Sequence, residues 1–439
     1  MTKRLYYDSS ALHEFDSVVE EVLPASPDQP RPAVILRESA FYPTSGGQVH
    51  DTGWLTLEGV GRLRVAEVAD AEDGRVLHYL DAPAELPAPG SDVHGTIDSD
   101  RRREHVQQHS GQHVLSAAFI ELYQIPTLSF HMADDYCSID LATPALTPEQ
   151  IAGAEKRANH VVFENRDVRI RYVSRADAEK LGLRKPPAAE RDELRIVEFE
   201  DFDLSACGGT HVTASGQIGS ILLRKSEKVR QGTRVEFVCG DRAVRIARRD
   251  YGALREAAAL FSANLWDVPE QIRKNADEIK SLRKQKDDAL DRLAESMALA
   301  ALHSQTQAET NGHTVDVDMA DGRTIDGRTI DGRTIVVRIF PDRDIAFAKI
   351  FAQKVTRAGT PVIALVASSV DPPGLVFAQT SAPASSATKP STDLGALLKQ
   401  VLASVGGRGG GSHDFAQGGV PSGCEVRQLL QQAADTIRA

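Results

Sequence analysis

Two short stretches of this chain carry the residue types that bind metal ions: His109-Ser-Gly-Gln-His113 and Cys207-Gly-Gly-Thr-His211. The first lies in a strongly helical stretch, so its two imidazoles lie on one helix face, about one turn apart. The second is not a helix interior, because Gly208-Gly209 favours a tight turn. Such a turn would bring the Cys207 sulfur and the His211 ring to one point. Two histidines from a helix and a Cys/His pair from a loop make the tetrahedral N/S set that Zn²⁺ prefers, so we expect one zinc ion per chain.

The choice of histidines on the helix stays open at this point. His105, His109 and His113 form a continuous series at four-residue spacing. Each step of four residues rotates the side chain about 40° around the helix axis, so adjacent pairs share an ion more easily than all three. The spacing alone therefore permits either adjacent pair.

Three ordered motifs make the chain resemble the editing domain of alanyl-tRNA synthetases, and more closely the free-standing AlaX editing proteins. The helix motif within 103–119 and the Cys207–His211 stretch are two of them, and Phe41-Tyr-Pro-Thr-Ser-Gly-Gly-Gln-Val-His-Asp-Thr-Gly53 resembles the family's glycine-rich loop. The resemblance implies zinc ligation by His109, His113, Cys207 and His211. It also implies that substrate is bound by the loop residues Thr44, Ser45, Gly46, Gly47 and Gln48.

The resemblance implies hydrolysis of the ester that joins a wrong amino acid, serine or glycine, to tRNA-Ala. We predict Gln112, Thr44 and Gln48 as catalytic residues, with the Gln112 amide bonding substrate or water. A metalloprotease is disfavoured, because Ser110 stands where the H-E-x-x-H motif has its glutamate base. The deaminase pattern is missing as well.

Two other functions remain open on the residues alone. Four protein ligands are typical of structural zinc, whereas catalytic zinc keeps an open position. A non-enzymatic RNA-binding protein with a structural zinc is therefore one alternative. A zinc esterase acting on a small molecule is the other.

Composition places the chain among ordinary globular proteins, with 439 residues, 41% hydrophobic and 26% charged. We expect no membrane span, because no apolar run approaches 18 residues. The N-terminus lacks an apolar signal core, and four cysteines favour a reducing compartment, so we expect a cytoplasmic protein. A net charge of −11 disfavours broad nucleic-acid binding, but the arginines at 101–103 and the basic cluster at 224–234 could contact one RNA or form a solvated face.

The predicted fold class is α+β with four parts. Short apolar runs between Gly, Pro and Asp turns predict a β-barrel-like domain over 1–95 with the glycine-rich loop. A zinc-binding α+β domain follows over 96–240, with a helix from about Asp98 to Tyr123 and another over Pro148–Arg166. A charged helical hairpin linker is predicted over 241–305. The last part, 311–439, alternates strands and helices.

The 311–439 part resembles the DHHA1-type domain of the same family, which implies tRNA binding. Its Gly406–Gly411 run, predicted as a loop, would offer N–H groups and Arg408 to phosphate. This part is also a candidate for a homodimer contact. Asp321-Gly-Arg-Thr-Ile occurs three times in tandem, which we interpret as an expanded hairpin or loop without its own function. The resemblance does not extend to the synthetase's ATP-dependent domain, so we expect ATP-independent deacylation.

Overall fold

The computed structural model describes residues 1–27, 29–81, 85–184, 193–310, 323–330, 333–380 and 392–438, with backbone alone for 304–310 and 323–330. The chain divides into two compact units, Met1–Leu265 and Trp266–Ala439. Both units mix helices and strands, which confirms the predicted α+β class. No helix of the described residues has both the length and the apolar composition needed to cross a membrane.

The first unit begins with a closed barrel of six strands, where the sequence predicts a β-barrel-like domain; the order around the barrel is β2 (Glu14–Leu23), β3 (Ala33–Leu36), β7 (Val76–Leu80), β6 (Gly61–Asp70), β5 (Gly53–Leu57) and β8 (Asp92–Ile97). Along β5 and β7, fully buried residues alternate with more accessible ones, so every second side chain fills the barrel. The strands of this part are β1 (Lys3–Arg4), β2 (Glu14–Leu23), β3 (Ala33–Leu36), β4 (Glu38–Ser39), β5 (Gly53–Leu57), β6 (Gly61–Asp70), β7 (Val76–Leu80) and β8 (Asp92–Ile97).

The remainder of the first unit surrounds one long buried helix with two antiparallel sheets, β14-β15-β10-β9 and β11-β12-β13. Its elements are α1 (Ser99–Tyr123), β9 (Thr127–Met132), β10 (Cys137–Leu141), α2 (Pro148–Glu164), β11 (Val168–Ser174), α3 (Arg175–Ala178), β12 (Glu193–Phe199), β13 (Asp203–Ala206), β14 (Ile221–Val229), β15 (Gly232–Cys239) and α4 (Gly240–Leu260).

Helix α1 is the element that positions the candidate site. The Asp98 side chain caps its first turn by accepting a hydrogen bond from the Arg101 N–H at 3.3 Å, and Gln124 ends it at a φ of 57°. Every residue from His105 to Phe119 is buried. A polar helix buried on all sides needs partners for its polar groups, so α1 is where function is expected.

The second unit is built around a six-stranded sheet of order β16-β17-β18-β19-β21-β20. The C-terminal half of the long helix α5 packs on α6, where Ala294 and Ala298 are buried beside Phe347 and Phe351. The elements are α5 (Val268–Thr310), β16 (Arg323–Ile330), β17 (Arg333–Phe340), α6 (Ile345–Arg357), β18 (Val362–Ser368), β19 (Gly374–Gln379), α7 (Leu394–Ala403), β20 (Arg408–Gly411), β21 (Phe415–Gly419) and α8 (Val426–Arg438).

Two predictions for the second unit can be compared with these elements. The described residues of the tandem repeat lie in two antiparallel paired strands, β16 and β17, as in the predicted hairpin, while residues 321–322 and 331–332 lie outside the described residues. The Gly406–Gly411 prediction of a loop is wrong, because Arg408–Gly411 is a strand paired with β21. A Cβ on Gly409 would lie 2.4 Å from the Gly418 Cα, so glycine here serves close backbone approach within a sheet. The domain boundaries, including the 241–305 linker, remain predictions.

Candidate metal centre

The structure brings the four predicted metal ligands together. His109 and His113 lie on α1, and Cys207 and His211 lie in the turn that follows β13. Their ligand atoms all lie within 4.8 Å of one another. The His109 Nε2 is 3.1 Å from the Cys207 Sγ. Among the described residues His105 is not a member of this cluster, so geometry selects the second pair of the helical series.

Several buried nitrogens of this cluster lack hydrogen-bond partners within the described part of the chain. Both ring nitrogens of His211 and the Nδ1 of His109 are in this position. A buried polar atom without a partner costs about 1–3 kcal/mol, so the His211 ring, with neither nitrogen paired, indicates a missing partner in this cluster. A cation would accept a nitrogen lone pair from each ring, and the N₃S donor set suits zinc. The residues therefore fit the ion that the sequence implies.

His113 is oriented by a buried carboxylate. Its Nδ1 lies 2.8 Å from the Asp203 Oδ2, which leaves Nε2 for a metal. The Arg184 Nε donates to the other Asp203 oxygen at 2.5 Å, and the Ser205 hydroxyl donates at 3.1 Å. Burial alone would raise the pKa of Asp203, but Arg184 and His113 hold that pKa well below its ordinary value. The carboxylate thus stays ionised and fixes the imidazole.

Cys207 and His211 are held in the protonation states that bind metal. Burial alone would raise the pKa of the Cys207 thiol, but the three neighbouring histidines hold it well below its ordinary value. Burial lowers the pKa of His211 to about 3, although the Cys207 thiolate acts in the opposite direction. A thiolate and a neutral imidazole are the forms that ligate zinc.

The turn Cys207–His211, called the ligand turn below, is held by Gln48. The Gln48 side chain is completely buried. Its Nε2 donates to the Thr210 hydroxyl at 2.8 Å, and its Oε1 accepts from the Thr210 N–H at 3.2 Å. The turn also needs Gly209, because a Cβ there would lie 2.6 Å from the His109 ring and 3.1 Å from the Gln48 oxygen. This amide connects the barrel to the metal centre.

Two serines that sequence reasoning did not find also hold the turn. The Ser10 hydroxyl accepts from the His211 N–H at 3.0 Å, and the Ser110 hydroxyl accepts from the Val212 N–H at 3.1 Å. The sequence distinguishes Ser110 only as the residue that stands where the H-E-x-x-H motif has its glutamate. Its position on the inner face of α1 gives it this second role. Ser10 is 201 residues from its partner, so no local signal points to it.

A cavity of about 300 Å³ lies beside the cluster. Three of the four candidate ligands form part of its wall, together with the predicted residues Gln112 and Gly46. Its lining residues are Gly46, His109, Gln112, His113, Thr127, Leu128, Ser129, Phe130, Arg184, Ser205, Ala206 and Cys207. Four polar residues of this lining were not predicted from the sequence: Thr127, Ser129, Arg184 and Ser205.

The other predicted substrate-binding residues do not belong to the described lining of this cavity. The Thr44 hydroxyl is 3.0 Å from the His50 Nδ1, and Ser45 is exposed. Gly47 packs on β9, where a Cβ would lie 2.4 Å from the Phe130 carbonyl oxygen. Among the residues described, neither Thr44, Ser45, Gly47 nor Gln48 lines the cavity. Arg408 is exposed at the start of β20 in the second unit. Their roles in substrate binding remain predictions.

Three family models match the chain. The tRNA synthetases class II (A) model matches residues 3–101, which include the barrel. The model of the threonyl and alanyl tRNA synthetase second additional domain matches residues 194–235, which contain Cys207 and His211. The DHHA1 domain model matches residues 335–439.

Among known proteins, archaeal alanine–tRNA ligases are similar to this chain. The ligase of Pyrococcus furiosus is 33% identical over 292 residues, 65% of this chain and 31% of the relative. The ligase of Halobacterium salinarum is 30% identical over 447 residues, 99% of this chain and 44% of the relative. The chain thus spans less than half the length of the curated relatives it matches.

Among solved structures, the C-Ala domain of Aquifex aeolicus alanyl-tRNA synthetase aligns with 26% of this chain and 97% of that domain. The identity is 14% and the TM-score is 0.23, which is too low to bear on the fold. The three family models, and the alignment of 99% of this chain with an archaeal ligase, agree with the resemblance carried by the motifs. The chain therefore belongs to the proteins related to alanyl-tRNA synthetase and fits their AlaX-like form.

Proposed function

We propose that this protein hydrolyses the ester between tRNA-Ala and a wrongly attached serine or glycine, at one zinc ion held by His109, His113, Cys207 and His211. The observation that carries the proposal is the shared wall between the ligand cluster and the cavity of about 300 Å³. A structural zinc needs no cavity beside it. An aminoacyl group entering this cavity would meet the metal ligands directly.

Zinc can expand to five ligands, so an ion held by these four side chains could still polarise the ester carbonyl or supply hydroxide near neutral pH. The chain's own residues orient the substrate. The Gln112 Nε2 donates to the Ser116 hydroxyl at 2.9 Å, and that hydroxyl also accepts from Thr127 at 2.7 Å. These bonds fix the Gln112 amide at the cavity wall, where its oxygen can accept a hydrogen bond from substrate or water. An amide is not a base at pH 7, so we assign Gln112 an orienting role.

The polar lining of the cavity supports discrimination of serine from alanine. Alanine is smaller than serine, so size cannot exclude it. A site that bonds a substrate hydroxyl rejects the analogue without one far more strongly than an apolar site does. Gln112, Thr127, Ser129 and Ser205 all carry polar side chains and line the cavity. We therefore place the serine hydroxyl among these four residues rather than beside Thr44, Ser45 and Gln48, the predicted substrate-binding residues of the glycine-rich loop, which do not line the cavity among the described residues.

The proposed substrate and partner follow from the family relationship. The second additional domain model and the class II (A) model are named for tRNA synthetases, and the similar proteins are alanine–tRNA ligases. We extend this to tRNA-Ala as the partner, with the second unit contributing affinity. Homodimerisation through the second unit is part of the same proposal.

A deacylation assay tests the function. Purified protein should release serine from Ser-tRNA-Ala faster than alanine from Ala-tRNA-Ala, lose activity to a chelator and regain it with zinc. His113→Ala should be inactive, and His160→Ala, an exposed histidine on α2, should match the wild type.

The other outcomes of this assay separate the alternatives. Zinc-loaded protein that binds tRNA without releasing any amino acid would favour the RNA-binding alternative with a structural zinc. Equal rates on free aminoacyl esters would favour the small-molecule esterase. ATP-dependent charging of tRNA-Ala in a parallel reaction would replace hydrolysis as the proposed activity.

A further inference from the structure

Arg195 contacts the ligand turn with both its side chain and its backbone. It lies on β12 and is 8% exposed. Its Nη1 donates to the carbonyl oxygens of Cys207 at 2.8 Å and Gly209 at 3.0 Å. Its own carbonyl accepts from the Cys207 N–H at 3.1 Å. Arg195 therefore binds both the N–H and the carbonyl group of Cys207, one on each side of its Cα.

The same guanidinium is anchored from the other direction by the start of the chain. Its Nε donates to the Tyr7 carbonyl at 3.2 Å, and its carbon lies 5.4 Å from the centre of the Tyr7 ring. A planar guanidinium held at two of its nitrogens has little rotational freedom, so its Nη1 is aimed at the turn. The Nη2 is buried without a partner among the described residues.

The contacts of the turn divide into two sets. Gln48, Ser10 and Ser110 accept hydrogen bonds from its N–H groups. Among the described residues, Arg195 alone supplies side-chain donors to its carbonyl oxygens. The two carbonyls belong to Cys207 and Gly209, so they span the Gly208-Gly209 pair, whose backbone is the most permissive part of the turn. Removing the guanidinium would free this peptide pair while leaving the N–H contacts in place.

We propose that Arg195 is a positioning residue of the metal centre, which holds the turn in its ligand-presenting shape before an ion binds. The inference rests on the proposed metal binding, but it does not depend on the deacylation reaction. A preorganised turn binds metal more tightly because ordering the backbone no longer costs free energy on binding. Arg195 itself contacts neither ion nor substrate.

The test compares full-length Arg195→Met and Arg195→Lys with Arg171→Met. Arg171 lies on the neighbouring strand β11, is exposed, and pairs with Glu198 at 3.3 Å, which makes it a matched control. Zinc affinity is measured by competition with a chromophoric chelator. The geometry at Cys207 is read from the thiolate-to-cobalt absorption of Co²⁺-loaded protein.

Arg195→Met should weaken zinc binding about 10- to 100-fold, as loss of groups that support metal ligands typically does. Its cobalt absorption should shift or weaken. Arg195→Lys should recover part of the affinity, because an ammonium keeps one donor but loses the fork. Arg171→Met should behave as the wild type in both measurements.

Wild-type zinc affinity and cobalt absorption in folded Arg195→Met would overturn the proposal. If that variant does not fold, the same result in Arg195→Lys would overturn it. Failure of both variants to fold would show that Arg195 supports the fold rather than the turn, which also overturns it. Wild-type protein that binds zinc without deacylating tRNA would refute the proposed function and leave this inference standing.

Discussion

Asp203 shows how one residue can decide whether the candidate centre binds metal. It is buried between His113 and Arg184, with hydrogen bonds to both. Asp203→Asn keeps the shape of the side chain but removes the charge that balances Arg184 and selects the His113 tautomer. We expect zinc affinity to fall about 10- to 100-fold. Chelator competition measures this change.

The control for Asp203→Asn is Asp201→Asn. Asp201 is exposed and has a φ of 52°, a conformation that asparagine tolerates well. It should leave zinc affinity unchanged. Equal affinities in the two variants would mean that the carboxylate does not support the ligand.

The residues of the centre differ in how far sequence could predict them. His109, His113, Cys207 and His211 carry both a distinctive residue type and a distinctive spacing. Choosing between His105 and His113 needed the resemblance, and the structure then agreed with it. Arg195 and Ser10 were not predictable, because arginine and serine are common and their contacts join segments far apart in the chain. Gln48 was found as a residue of interest, but its observed contacts are with Thr210.

Helix α1 carries a glycine, Gly111, between its two candidate ligand histidines, and this glycine allows another element to pack closely. A Cβ on Gly111 would lie 2.2 Å from the Cys239 Sγ at the end of β15. Glycine in a helix interior normally costs about 0.5–1 kcal/mol relative to alanine. Gly111→Ala should nevertheless destabilise the fold by about 1–3 kcal/mol, because the added methyl overpacks the core. Urea unfolding measures this effect.

Gly252 offers the matched control for Gly111. It lies within α4, and a Cβ there would meet nothing within 4 Å. Gly252→Ala should stabilise the protein by up to about 1 kcal/mol, in line with helix propensity. A stabilising effect in both variants would show that β15 can move away from α1.

At the element level, sequence patterns predicted α1, α2 and the barrel more closely than the glycine-rich strand β20. Caps at Asp98 and at Thr147 mark the helix starts, and alternation marks the barrel strands. A run of glycines is typical of loops, so Arg408–Gly411 was misassigned. The close approach of two backbones that glycine permits is a tertiary property with no local signal.

At the scale of the whole molecule, the candidate site lies entirely within the unit Met1–Leu265. A fragment ending at Leu265 keeps α4, whose Arg242 pairs with Glu104 of α1 at 2.9 Å, so we place its end there rather than at residue 240. It should bind zinc and deacylate Ser-tRNA-Ala at saturating substrate, with a raised KM. Loss of phosphate contacts should flatten the salt dependence of tRNA binding.

Full-length protein under the same conditions is the control for this fragment. A zinc-loaded fragment with an unchanged KM would contradict a tRNA-binding role for the second unit. Sedimentation of both proteins would then show whether that unit forms the homodimer contact instead.

The hairpin β16–β17 has a pairing register that its own sequence does not fully specify. β17 is fixed on its other side by parallel pairing with β18, whereas β16 has one described neighbour. Because residues 321–325, 326–330 and 331–335 are identical, a slide of β16 by five residues presents the same residue types at each repeated position. Deleting residues 326–330 should therefore change the free energy of unfolding by no more than about 0.5 kcal/mol, whereas deleting 336–340 from β17 should prevent folding of the second unit. Thermal unfolding of both variants measures these effects. A loss of stability in the 326–330 deletion as large as in the 336–340 deletion would contradict the idea that the chain tolerates changes in length here in steps of one repeat.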